Sequence, residues 1–265
     1  MDDKVALLLV AHADDTEFFA GGTVARLVAE GWAVTEVVTT DNSRGSFELD
    51  RDTLVARSRE VEARAAAAVL GKRELCFLGY PDGFLGDTPT TVLREQYLRL
   101  IRRVRPRAVL TFDPWAPFEP HPDHRAVAFA AVEALAFSHM PLFHPEHREA
   151  GLAPHLVAER YFFAKVPAHA NRVVDVTPFL DRKIEALAAH ESQMKATIDD
   201  LRACLAATGR HPELLPLLDR DHYRPLLDRM IRAWARQVGA PAGYEAGEAF
   251  RYEEAGSFID GLAEG

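Results

Sequence analysis

The feature that most constrains this chain is an alternation. Short, continuously apolar runs recur along its first two-thirds, each followed by a polar turn and then a segment with helical spacing. The first run, Val5-Ala6-Leu7-Leu8-Leu9-Val10, is apolar at every position, which predicts a strand buried on both faces. Residues 33–39, rich in β-branched residues, read as a second strand, 75–78 and 108–112 as further short strands, and 159–164 and 172–176 as later ones. Between them, apolar residues take helical spacing. Val24, Leu27 and Val28 follow Gly21-Gly22-Thr23 and are closed by Gly31, and residues 52–70 form an Ala- and Arg-rich helix stopped by Gly71. Residues 91–104 and 124–138 read as two more helices.

Strands alternating with helices predict a mostly parallel sheet covered on both faces, that is, an α/β, Rossmann-like three-layer sandwich. After about residue 180 the spacing predicts helices over 181–197, 201–208 and 220–238 with no strand between them, a C-terminal helical extension. No Gly/Ser-rich linker separates the two parts. Residues 1–265 therefore read as one domain, with an α/β core over 1–180 and the extension and a C-terminal segment over 181–265.

Composition narrows the function. Lys and Arg number 31 and Asp and Glu 40, a formal charge of −9. That balance argues against a protein built to grip nucleic-acid phosphates. The apolar runs at 5–10 and 126–137 are too short to cross a bilayer, so neither a nucleic acid nor a membrane is expected as partner. Two cysteines, Cys76 and Cys204, make no disulfide framework and suit a reducing compartment. A cytoplasmic location is the expectation.

Two polar clusters break the apolar pattern. His12-Ala13-Asp14-Asp15 follows the first strand, and His121-Pro122-Asp123-His124 lies in the Pro-rich loop after the strand at 108–112. In a parallel sheet both fall on the carboxyl rim, where ligands of such folds bind. Together they can supply two imidazoles and a carboxylate to one cation and leave positions open, as in a catalytic metal site. The simpler alternative is that Asp14 and Asp15 cap a helix and that the two histidines are solvated.

These residues also carry a resemblance. His12-Ala13-Asp14-Asp15-Thr16-Glu17 with Gly21-Gly22-Thr23 resembles the AHPDDE…GGT signature of the LmbE-like, or PIG-L, family of zinc-dependent de-N-acetylases, and His121-Pro122-Asp123-His124 matches its HPDH motif. Arg59 and Glu62 match its R-x-x-E, and Lys183 to Gln193 resembles its K-x-x-A-L-x-x-H-x-S-Q segment. The stretch 120–147 and Tyr80-Pro81-Asp82-Gly83 look most like the diacetylchitobiose deacetylase branch. Ala13 stands where the family has proline, and Thr16 where it has an acidic residue.

The resemblance implies roles. His12, Asp15 and His124 would bind one Zn²⁺ per chain, with Fe²⁺, Co²⁺ or Mn²⁺ as chemically acceptable substitutes. Asp14 would be the general base, His121 a cation facing the developing oxyanion, and Asp123 the group orienting its ring. Arg59 and Asp82 would contact substrate, with Arg44 and Asp41 as weaker candidates. The reaction implied is removal of an N-acetyl group from an N-acetylglucosamine-type sugar or glycoconjugate by a homo-oligomeric enzyme. The alternatives are zinc amidase action on a thiol–sugar conjugate and a non-catalytic sugar-nucleotide binding module.

Overall fold

A computed structural model describes residues 4–259. Strand β1 (Val5–Val10) sits near the middle of one sheet with β2 (Ala33–Thr40), β3 (Glu74–Tyr80), β4 (Ala108–Phe112), β5 (Glu159–Phe163), β6 (Arg172–Asp175) and β7 (Gly247–Glu254). The order across the sheet is β3-β2-β1-β4-β5-β7-β6. Every pairing from β3 to β5 is parallel, and β7 runs antiparallel to both β5 and β6. Leu7, Leu8 and Leu9 are fully buried. Burial of such side chains stabilises the fold by about 1.5–3 kcal/mol each, which fixes β1 in the core.

The helices are α1 (Asp15–Ala29), α2 (Arg51–Arg57), α3 (Ala63–Leu70), α4 (Thr90–Val104), α5 (Pro122–Phe137), α6 (Glu146–Glu149), α7 (Leu180–Ala188), α8 (Glu191–Thr208) and α9 (Arg224–Gly239). Helices α1, α3 and α7 pack on one another, with α9 against α7, β6 and β7, while α4 and α5 pack together against β1. The chain moves outward from β1 through β2 to β3, then returns to β4 on the other side of β1. This reversal between β1 and β4 opens a crevice at their carboxyl ends. The turn after β1 carries His12, and the loop after β4 leads to His121 and His124.

Four features differ from the sequence reading. Gly21 and Gly22 lie inside α1 rather than ahead of it. A Cβ on Gly22 would sit 2.6 Å from the Val176 Cβ, so glycine is required there by close approach of a neighbouring segment. The backbone N–H groups of Gly22 and Thr23 donate to the Glu248 carboxylate at 2.9 and 2.7 Å, which ties α1 to β7. Secondly, the C-terminal segment returns to the sheet as β7. Thirdly, α7 and α8 part at Ala189–His190, and α8 then runs unbroken through 198–200. Fourthly, the helix expected over 52–70 contains a π turn, Ser58–Glu62.

Gly22→Ala is expected to lower unfolding stability by about 1–3 kcal/mol through overpacking. Gly86→Ala, whose added Cβ meets only Pro122 at 4.0 Å, should change it by less than about 0.5 kcal/mol. Urea denaturation of the two variants measures the difference.

Candidate active site

The crevice between β1 and β4 holds a cavity of about 820 Å³ whose wall includes His12, Asp14, Asp15, Asp82, His121 and His124. Asp14 occupies the N-cap position of α1, yet its side chain makes no capping hydrogen bond. The capping alternative therefore fails for Asp14, and its carboxylate faces the cavity. Burial and the neighbouring Asp15 carboxylate push its pKa up.

Asp15, the first residue of α1, is held differently. Its Oδ2 accepts the backbone N–H groups of Ala11 and His12 at 3.0 and 2.7 Å. Its Oδ1 lies 3.3 Å from the His124 Nε2, which in turn lies 3.3 Å from the His12 Nδ1. The His12 Nδ1 and Asp15 Oδ2 are 3.6 Å apart. Burial opposes ionisation of Asp15, but His124 and His12 outweigh it and hold the carboxyl well below the usual range.

These separations test the donor set for a metal. Bonds of ~2.0–2.1 Å in a tetrahedral site place ligand atoms about 3.3–3.4 Å apart. The two imidazole nitrogens, 3.3 Å apart, match that spacing, and the Asp15 carboxylate lies beside both, with Oδ1 3.3 Å from His124 and Oδ2 3.6 Å from His12. The outer nitrogens of both rings also have carboxylate neighbours, as metal-binding histidines do. His12 Nε2 lies 3.2 Å from Asp82 Oδ1 and 3.4 Å from Asp123 Oδ2. His124 Nδ1 lies 3.3 Å from Glu119 Oε1, a charge contact rather than an aligned hydrogen bond. Burial disfavours the charged rings, yet the Asp15 carboxylate above all, helped by Asp123 and Asp82 at His12 and by Glu119 at His124, raises the pKa of both. The cluster could hold a divalent cation, and His12, Asp15 and His124, with His121 close by, offer the donor atoms for it.

The expected role of Asp123 needs correction. Its carboxylate does not orient His121. It accepts the backbone N–H groups of Gly83 and Leu85 at 2.6 and 3.0 Å and reaches His12. His121 is held instead by the Asp123 backbone N–H, which donates to its Nδ1 at 3.3 Å. A cationic His121 is disfavoured as well: burial, with His12 and His124 beside it, lowers its pKa to about 4, which favours the uncharged ring at neutral pH. With Nδ1 accepting, the proton sits on Nε2.

Asp82 joins the cluster, but both of its oxygens are engaged, one with His12 and one with the backbone N–H of Arg44 at 2.9 Å. Asp41 supports this turn by accepting the Asp82 N–H at 3.2 Å. Arg59 is not brought to the site. It stands on the π turn, half exposed, beside Glu60 and 5.1 Å from the Phe77 ring centroid. Arg57 rather than Arg59 pairs with Glu62, at 2.9 Å. Arg44 lines the cavity in its place. Glu119 was not singled out from the sequence. It accepts the His121 N–H at 2.9 Å, contacts Lys165 at 3.1 Å and has its pKa lowered to about 2 by His124 and these donors, against the effect of burial. Its place within the loop before His121 was the available signal. Arg251 is engaged within its own chain, 3.1 Å from Asp113 and close to Glu253.

Residues 7–135 match the PIG-L family, described as GlcNAc-PI de-N-acetylase. A diacetylchitobiose deacetylase of Thermococcus kodakarensis is 34% identical over 206 residues, 76% of this chain and 74% of that protein. A 1D-myo-inositol 2-acetamido-2-deoxy-alpha-D-glucopyranoside deacetylase of Actinosynnema mirum is 30% identical over 258 residues, 82% of this chain and 90% of that one. Among solved structures, N,N'-diacetylchitobiose deacetylase from Pyrococcus horikoshii, complexed with its inhibitor MPG, superposes with a TM-score of 0.76 at 28% identity, covering 96% of this chain and 85% of that one.

His121 is expected to stay neutral as the Nε2–H tautomer from pH 5 to 8. A bound dication would lower its pKa further and leave this result unchanged. Imidazole ¹⁵N shifts across that range check it, and a titration near pH 6.5 would contradict it.

Proposed function

This chain belongs to the PIG-L family of GlcNAc-PI de-N-acetylases, and from that membership we propose that it is a zinc-dependent hydrolase that removes an N-acetyl group from an N-acetylglucosamine-type sugar or glycoconjugate. The observation that carries the reading is the pair of adjacent carboxylates in different states. Asp15 is bound up with the two imidazoles, while Asp14, beside it, keeps a carboxylate free in the cavity. A module that only binds a sugar nucleotide has no need of that second group. Two imidazoles and one carboxylate suit zinc among the available divalent ions.

When bound, such a cation polarises the amide carbonyl and acidifies water. The residues of the chain supply the rest. Asp14 takes the proton of the attacking water and returns it to the amine nitrogen as the C–N bond breaks. Its raised pKa brings it nearer to what that exchange requires. The His121 Nε2–H donates to the carbonyl oxygen as negative charge gathers there, acting as a neutral donor of the oxyanion-hole kind. Asp82 and Asp123 hold the His12 ring from behind, and Glu119 does so for His124. Acetate and a free amine are the products.

Acetate release from N-acetylglucosamine, diacetylchitobiose and thiol-linked N-acetylglucosamine tests the reading. Asp14→Asn should retain one zinc per chain and lose about 10²–10⁴-fold in kcat. His12→Ala should lose both metal and activity. Full activity in Asp14→Asn would overturn the base assignment, and wild-type inactivity on all three substrates would count against the substrate class.

A further inference from the structure

The cavity that holds His12 and Asp14 is larger than one acetylated hexosamine requires. At about 820 Å³ it lies towards the upper end for sites that enclose drug-sized ligands. The polar cluster occupies only part of its wall. Another part comes from α1 and α9, which contribute Phe18, Met230, Ile231 and Trp234.

This wall is fixed in place. The Trp234 ring meets Phe19 edge to face, with centroids 6.0 Å apart. The Lys183 Nζ stands 5.5 Å from the Trp234 centroid and is itself held by the Phe18 carbonyl at 2.8 Å and by Glu248 at 2.6 Å. A wall ordered in advance loses little entropy when a ligand arrives. Met230 remains 46% exposed, an apolar surface left to be covered.

The polar groups nearby are poorly suited to a second sugar. The Gln193 Nε2 already donates to the Gly45 carbonyl at 3.1 Å, and the Thr197 hydroxyl donates to the Gln193 carbonyl at 2.9 Å. The donor hydrogens of both side chains are thus already used, so hydroxyls arriving there would find only acceptors on these two residues. Arg44 and Asp200, which also line the cavity, are opposite in sign and together select no net charge.

We propose that the α1–α9 wall is a subsite for an uncharged, apolar aglycone, an alkyl or aryl group joined to the N-acetylhexosamine whose amide faces Asp14. The proposal rests on the deacetylase reading for what occupies the polar cluster, and on the wall alone for what lies beyond it.

Calorimetric binding of four probes to the metal-loaded full chain tests it: N-acetylglucosamine, diacetylchitobiose, and the phenyl and hexyl β-glycosides of N-acetylglucosamine. Both glycosides should bind at least about tenfold tighter than either sugar, since each adds several apolar carbons that the wall would bury. Trp234→Ala and the volume-conserving Met230→Gln should each cut that advantage severalfold. Equal affinities, tighter binding of the disaccharide, or an advantage unchanged in both variants would overturn the proposal. Acetate release is measured in parallel. Its absence with the binding preference intact counts against the deacetylase reading alone, and its presence without the preference counts against the apolar wall alone.

Discussion

The structure turns on a concentration of negative charge. Asp14, Asp15, Asp82, Asp123 and Glu119 converge on two imidazoles at the carboxyl ends of β1 and β4. So many carboxylates in a largely buried space are tolerable only with matching positive charge and many donors. Backbone N–H groups of Ala11, His12, Gly83 and Leu85 supply part of this. A divalent cation among His12, Asp15 and His124 would supply the rest. The fold can be read as the means of holding this cluster: the apolar run of β1 anchors one half, the reversal to β4 brings the other, and both halves are fixed by short turns.

A second charged network braces α1 from below. Lys72 is buried between Glu17 of α1 and Glu36 of β2, at 2.7 and 2.8 Å. Glu248 of β7 accepts N–H groups from the middle of the same helix and pairs with Lys183 of α7. Helix α1 therefore carries Asp15 at its first turn and is clamped by the sheet, by α7 and by the returning C-terminal strand. The C-terminal region is thus joined to the site through α1 as well as through the α9 wall of the cavity.

Much of this was legible in the sequence. Strands β1 and β4 declare themselves because burial on both faces leaves them almost wholly apolar, and β2 because it is rich in β-branched residues. The two His/Asp clusters were legible for the opposite reason, as polar breaks at strand ends. β7 was not, because Glu248, Arg251, Glu253 and Glu254 give it a polar character, and only distant pairing with β5 and β6 makes it a strand. Gly21-Gly22 looked like a boundary because the close approach of Val176 has no local signature. Arg59 was placed by a motif match alone; on the π turn at Ser58–Glu62 it stands beside Glu60, and Arg57 is the residue that meets Glu62. Charge state was also hidden: only three-dimensional burial beside two other imidazoles favours a neutral His121.

The central claim is that one divalent cation binds where His12, Asp15 and His124 converge. Anomalous diffraction from crystals grown with zinc tests this most directly. A single strong peak bonded to the His12 Nδ1, the His124 Nε2 and an Asp15 oxygen is expected, with Asp14 unbound beside it. No peak there, or one coordinated by Asp14 in place of Asp15, would contradict the claim.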